Sequence, residues 1–500
     1  MFCGCGGSRN DPGMTHPADP PPTDSISGTV TYKGAPLPGA TITLWITNTN
    51  SVAATTSTDA NGDYSFNGIQ TTGNVPGEYH LWASKNGYGF YPSAGTGAKV
   101  IRADHTGEFE PTVTATSTFG VPIYLTVIDF VATANNSVTN ANFAAFDGSN
   151  PVVRLAATGQ TQSYAPGDDG DLKEGLAWAV PRYTDNANGT ITDNLTGLIW
   201  LKNAGCFATT TWNNALTDVN GLASGMCGLS DGSTAGQWRI PNLVELDSLI
   251  DPSASGPALT AAHPFVNVAN SIYWTSTTYF GGEEGSPNAW AIRLQDGRYV
   301  NDGTLNSKAS ANNSVWAVRG SGSGQARLQA TGLFDAFGPG DDGSLQIGAG
   351  LMYPRFIHHG DGTVTDLMTG LVWLQLADCI QGDWATAIAQ ANTLASRQCG
   401  LTDNSVAGDW HMPNRNEMQS LADRNQNNES DYLNFTFLNP DLSVFQPAVL
   451  SGFQPYHYYW TSTTDAADPT EAWTVFSCDF GVYDTDKSAT GFALAVRQPR

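Results

Sequence analysis

Two pairs of adjacent carboxylates offer the most evident chemistry in this chain. Asp168-Asp169 and Asp341-Asp342 each sit in a Pro-Gly-Asp-Asp-Gly run. Hard oxygen ligands in glycine-flanked loops suit calcium. Neighbouring side chains in an extended segment point opposite ways, however, and no third acid recurs at a short fixed offset. The run Asn188–Asp193 lacks the acids an EF-hand needs at its first and twelfth positions. These four aspartates are therefore the candidate calcium ligands, with a turn as the plainer role, and no other cofactor is indicated. Aromatic faces can stack on sugars, which makes loop aromatics the ligand candidates: Tyr279 and Phe280, then Tyr456, Tyr458 and Tyr459 around His457. Catalysis finds little support. The chain has 8 His, yet no nucleophile, base and acid recur together. There is no Gly-x-Ser-x-Gly elbow, His-Glu-x-x-His pair or phosphate-binding glycine loop.

The cysteines carry a second signal. Cys206 and Cys227 flank one expected helix, and Cys379 and Cys399 flank its twin. A metal site would need His or further Cys repeated nearby, and none is. A disulfide in each pair fits better, worth about 3 kcal/mol for loops of this length by the chain-entropy estimate. Disulfides place the chain in an oxidising compartment. Cys478 has no counterpart and is expected to be buried.

The elements that position these residues are written twice. Thr196-Gly-Leu-Ile-Trp-Leu201 is answered by Thr369-Gly-Leu-Val-Trp-Leu374, and Ala317-Val-Arg319 by Ala495-Val-Arg497. Trp212, Trp238, Trp274 and Trp290 pair with Trp384, Trp410, Trp460 and Trp473. Trp212, Ala215, Leu216 and Val219 follow helical spacing, as do Trp384, Ala387, Ile388 and Ala391. A second helix is expected to start at Asn242 with Glu245 three residues on, and again at Asn414 with Glu417, each a capping-box pattern. Alternating runs such as Ile272-Tyr-Trp-Thr-Ser-Thr277 supply strands. The matched tryptophans lie on inward stripes and are expected in the core. Gly320-Ser-Gly-Ser-Gly324 reads as a flexible hinge between the copies.

Upstream, residues 25–134 show short alternating runs broken by turns, among them Asp59-Ala-Asn-Gly-Asp63, a hairpin signal. Residues 1–24 form an extended tail. At roughly 150 residues per domain, 500 residues divide into about three. Lys and Arg number 22 against 46 Asp and Glu, a net charge of −24, so a nucleic-acid phosphate backbone is a poor partner. No apolar run approaches the ~18 residues of a membrane span.

Three resemblances follow from these motifs. TDNLTGLIWLKNAGC, GQWRIPNLVEL, YWTSTT and VWAVRG, with DLMTGLVWLQLADC, GDWHMPNRNEM, YYWTSTT and FALAVRQ, resemble the Lcl C-terminal domain family of bacterial surface proteins. This implies a C-type-lectin-like fold and a binding or adhesion role toward an extracellular glycan or protein. The family's link to sulfated glycans does not transfer, because a polyanion wants clustered cations and both copies are acidic. The Glu-Pro-Asn and Trp-Asn-Asp triplets of calcium-dependent lectins are absent. In such a fold the ligand loops are residues 251–270 with 279–288, and 424–457 with 465–470. They add Glu283 and Glu284 to the candidates Tyr279, Phe280, Tyr456, His457 and Tyr458. GTVTYKGAPLPGATITL, TDANGDYSF and PGEYHLWASKNGYGFYP resemble the carboxypeptidase-regulatory-like, transthyretin-like family, which implies a β-sandwich stalk. Phe2-Cys3-Gly4-Cys5 resembles the end of a bacterial lipoprotein signal, which implies acylation of Cys5 and a membrane link only through that anchor. The formylglycine-generating enzyme fold is similar to the helix and Trp-Arg-Ile-Pro arrangement, but its reactive cysteines have no repeated counterpart.

The expected architecture is multidomain: an N-terminal all-β sandwich, then two α+β C-type-lectin-like domains at 153–320 and 325–500, each with two helices on an antiparallel sheet. The expected function is non-enzymatic binding at the cell surface, as an outer-membrane lipoprotein, or after secretion. A structural envelope protein that self-associates through its heads is the alternative.

Overall fold

The computed structural model describes residues 152–499 except 280–285, 302, 323, 352–354, 426–432 and 434–448. It also describes 23–32, 35–46, 51–70, 77–85 and five short strands between 89 and 146. The protein is multidomain and β-rich. The tail with Cys5 lies outside the described residues.

In the N-terminal unit Thr23–Tyr32 pairs antiparallel with Asp63–Gln70, and Thr41–Ile46 with Ser51–Ser57. Alternation places Val30, Ile42, Leu44, Tyr64, Phe66 and Leu81 in its core. The turn expected at Asp59–Asp63 forms, but it is not a hairpin: the strands it joins, Ser51–Ser57 and Asp63–Gln70, belong to different sheets. The Asp59 carboxylate accepts from the Asn61 and Asp63 N–H groups, and Gly62 takes φ +75°, where a Cβ would meet Val30 O at 2.4 Å.

Each downstream copy holds a small antiparallel sheet closed by its last strand. In the first, Tyr183–Asp185, Thr190–Asp193 and Ile199–Leu201 end on Val318–Arg319. In the second, Phe356–His358, Thr363–Asp366 and Val372–Leu374 end on Val496–Arg497. A second sheet packs beside the helices. It has three strands in copy one, led by Ile272–Tyr279, and five in copy two, around Tyr458–Thr464. The helices Trp212–Asn220 and Trp384–Thr393 bury the predicted faces. The capping boxes of Asn242 with Glu245 and Asn414 with Glu417 are both formed. All eight matched tryptophans are 2% exposed or less, which fixes their role as core. The Trp212 and Trp384 indoles donate to Thr275 O and Thr461 O at 2.8 and 2.9 Å, so neither N–H is stranded. Disulfides join Cys206 to Cys227 and Cys379 to Cys399.

The copies are interlocked, a feature that self-comparison of the sequence does not show. The segment ahead of each copy, residues 153–178 or 326–351, packs as an arm on the body of the other. Asp169 of the first arm accepts a hydrogen bond from Thr463 of copy two at 2.6 Å, and Asp342 of the second accepts from Thr277 of copy one at 2.7 Å. Asn414 Nδ2 donates to Glu174 O, and its twin Asn242 donates to Ile347 O. Gln160 pairs twice with the Thr464 backbone, at 2.9 and 3.0 Å. The arms start the same way: Val153 N donates to Met368 O, and Ala326 N to Leu195 O. The Gly/Ser stretch read as a hinge ends tied down, with Gly324 N donating to Thr196 O at 2.7 Å. Between the bodies, fully buried Arg415 donates to Asp247 Oδ1 at 2.6 Å and to Gly297 O at 3.0 Å. Trp473 and Val482 of copy two join the core of copy one.

Candidate functional site

The sequence places Tyr456, His457 and Tyr458 just before the strand Tyr458–Thr464, and the structure leaves all three on the surface. Tyr456 is 74% exposed and Tyr458 44%. Tyr456 takes φ +60°, a left-handed conformation uncommon for an aromatic residue, and its N–H donates to Cys478 Sγ at 3.3 Å. Cys478 is half-buried rather than buried as expected. The His457 ring meets Phe492 edge-on, and its Nδ1 lies 2.7 Å from Pro455 O. Tyr458 leans on Phe476 and Tyr483, at 5.2 and 5.9 Å between ring centres. Half-buried neighbours thus hold His457 and Tyr458 in an aromatic platform open to solvent.

A polar network lies behind the platform and crosses between the copies. Tyr483 donates to Asn301 Oδ1 at 2.8 Å, and Asn301 in turn donates to Asp479. Tyr279 also reaches Asp479, at 3.4 Å. Burial raises the Asp479 carboxyl and pushes the Tyr279 hydroxyl up to about 12. Tyr279 is half-buried with its ring edge-on to Trp290, so it supports the seam and does not present a face. Copy one has Asn270, Ser271 and Ile272 where copy two has the three platform residues. The platform therefore occurs once. Phe280, Glu283 and Glu284 lie outside the described residues, as does most of the loop 424–457.

The paired aspartates have other tasks. Asp168 and Asp341 cap the short helices Asp169–Leu172 and Asp342–Leu345, accepting from Asp171 N and Ser344 N. Asp169 and Asp342 turn the other way, into the seam. Each takes two threonine hydroxyls on one oxygen, Thr158 with Thr463 and Thr331 with Thr277. Burial pushes both carboxyls up to about 7. Neighbouring carboxylates thus diverge, although each pair starts a short helix where an extended segment is expected, and each of the four already has protein partners.

Two lysines form a second matched pair that sequence reading missed. Lys308 Nζ lies 4.4 Å from the Trp212 ring centre and 4.6 Å from that of Phe337, an arm residue. Lys487 lies 4.0 Å from Trp384 and 4.7 Å from Tyr164 of the other arm. Cation–π attraction offsets part of the desolvation that lowers both amines to about 8. The repeat carried a weak signal, because both lysines precede a final strand at matching places. Asp465, Glu471 and Asp484 bring carboxylate oxygens within 4.8 Å of one another, and Arg298 of copy one pairs with Asp484. A guanidinium therefore already supplies the counter-charge.

The fold and site define a tandem pair of α+β bodies, each with its own internal disulfide, following a β unit in the sequence, with one aromatic platform. The family model described as Lcl C-terminal domain matches residues 189–319 and 362–497, and that of the Carboxypeptidase regulatory-like domain matches 25–106. The two Lcl matches span more than half of the chain, and the protein belongs to the Lcl C-terminal domain family. Both matches begin after the arms. No curated protein matches the chain. Among solved structures, 3-chlorocatechol 1,2-dioxygenase from Rhodococcus opacus 1CP is 14% identical over 28% of this chain and 69% of its own, with a TM-score of 0.14. Catechol 1,2-dioxygenase from Pseudomonas arvilla C-1 is 15% identical over 27% and 55%, with a TM-score of 0.13. Similarity that slight carries no argument. The matched domains suggest a surface or secreted protein. Two disulfides, and no helix among the described residues long and apolar enough to cross a membrane, are compatible with an extracytoplasmic place.

Proposed function

We propose that this protein is a non-enzymatic binding or adhesion protein of the cell surface or the secreted space, whose C-type-lectin-like second copy presents the Tyr456–Tyr458 platform to an extracellular glycan or protein. The observation that carries this reading is the exposure of two neighbouring tyrosines, Tyr456 and Tyr458, at one edge of the second copy, whose matched tryptophans are all buried. The Tyr458 ring, held against Phe476 and Tyr483, can stack on a sugar face at little ordering cost, with the exposed Tyr456 beside it. The platform occurs once per chain, so binding is expected to be monovalent in each molecule.

A glycan array with the intact chain, with and without calcium, tests this. Binding that Tyr456→Ala with Tyr458→Ala removes supports the platform. Silence on the array together with self-association in solution favours the structural envelope role.

A further inference from the structure

The interlocked arms enclose a cavity that belongs to neither copy alone. It has a volume of about 90 Å³ and lies on the seam, and none of the platform residues Tyr456, His457 and Tyr458 lines it. Leu155 and Leu328, matched residues of the two arms, line it with Val244, Ile250, Trp178 and Tyr299, and apolar atoms dominate the wall. The charged lining residues are Arg154, Arg327, Arg424 and Asp247, formally three cations to one anion in a chain of net charge −24. Asp247 is committed to Arg415, and Arg424 to the carbonyls of Asp479 and Phe480. Arg154 and Arg327 are left. They are matched positions of the repeat, both exposed, and neither has an ion-pair partner among the described residues. One more polar group is stranded: Gln329 is 5% exposed, and its Oε1 is sealed with no hydrogen-bond partner. A buried acceptor left unpaired costs free energy unless a donor, such as a water, reaches it.

We infer that this cavity is a binding site for a small free monocarboxylate with an unbranched apolar tail, its carboxylate held between Arg154 and Arg327 at the mouth and its tail lying along Leu155 and Leu328. A hydrophobic wall suits the tail. Two guanidinium groups suit one carboxylate. At roughly 10–15 Å³ for each water-sized group, the cavity takes about six to nine of them, the size of a C6 to C8 chain. A neutral or cationic chain of the same length would forfeit the arginine contacts.

Calorimetric titration of the intact chain with octanoate, octanol and octylammonium tests the assignment, with Trp178 fluorescence as a second readout. One octanoate should bind per chain, at least tenfold tighter than octanol, with octylammonium weaker still. The double variant Arg154→Gln with Arg327→Gln should bring octanoate down to the level of octanol. Both arginines are exposed, so its urea midpoint should match that of the parent, which separates lost binding from lost fold. Tyr456→Ala should bind octanoate unchanged, so this site stands or falls apart from the platform. No octanoate binding at millimolar concentration, octanol binding as tight, or a double variant that still binds as the parent does would each overturn the inference.

Discussion

The seam aspartates should make the stability of the C-terminal unit fall as pH rises, the reverse of the usual carboxylate effect. Asp169 and Asp342 are each 2% exposed, and their carboxyls are raised from the ordinary 3.8 to about 7 by burial. Threonine hydrogen bonds pull the other way, and Glu417 beside Asp169 and Glu245 beside Asp342 add to the rise. Between 3.8 and about 7 the folded state keeps protons that the unfolded chain has released, so stability declines across that window. The contribution is fully present below about pH 4 and is lost above about pH 7. It amounts to at most roughly 4 kcal/mol per acid. Asn keeps the oxygen that receives both hydroxyls and does not titrate. Urea unfolding of the parent and of Asp169→Asn with Asp342→Asn, at steps from pH 4 to 8.5, isolates these two groups from every other titration. The stability difference, parent minus variant, should shrink steadily from pH 4 to pH 7 and then level. A constant difference, or one that grows with pH, would refute the burial argument.

Three further outcomes follow from the packing. Arg355 is 3% exposed and grips Asp366 through two hydrogen bonds at 2.9 and 2.8 Å, so Arg355→Met should cost about 3–5 kcal/mol in urea unfolding by leaving a buried carboxylate without its counter-charge. Reducing either disulfide, each of which closes a loop of about 20 residues, should lower stability by about 3 kcal/mol, with peptide mass mapping to confirm which bond opened. Tyr456→Ala should change the unfolding free energy by less than about 0.5 kcal/mol in urea titration, because the residue is 74% exposed.

Much of each body was legible because its signals are local. Helical spacing marked the Trp212 and Trp384 faces, and Asn followed three residues later by Glu marked both capping boxes. Duplication paired the cysteines correctly. The exchange of arms was not legible. Two copies with the same arm and the same docking strand give identical sequence patterns whether an arm folds onto its own body or the other. Glycine and serine between the copies suggested freedom, while backbone hydrogen bonds at Gly324 and Ala326 decide the matter in three dimensions. Platform residues could be picked out as loop aromatics. Tyr279 could not be told from them, because its burial depends on Asp479, 200 residues away.

The interlocking itself is tested most directly by a pair of double-mutant cycles. Asp169→Ala, which removes the accepting oxygen, would be combined in turn with Thr463→Val and with Thr277→Val, and the coupling free energies measured by urea unfolding at pH 5. An exchanged arm predicts coupling of about 0.5–3 kcal/mol with Thr463 and none with Thr277. Coupling to Thr277 and not to Thr463 would mean that each arm lies on its own body, and the interlocked scaffold would be wrong.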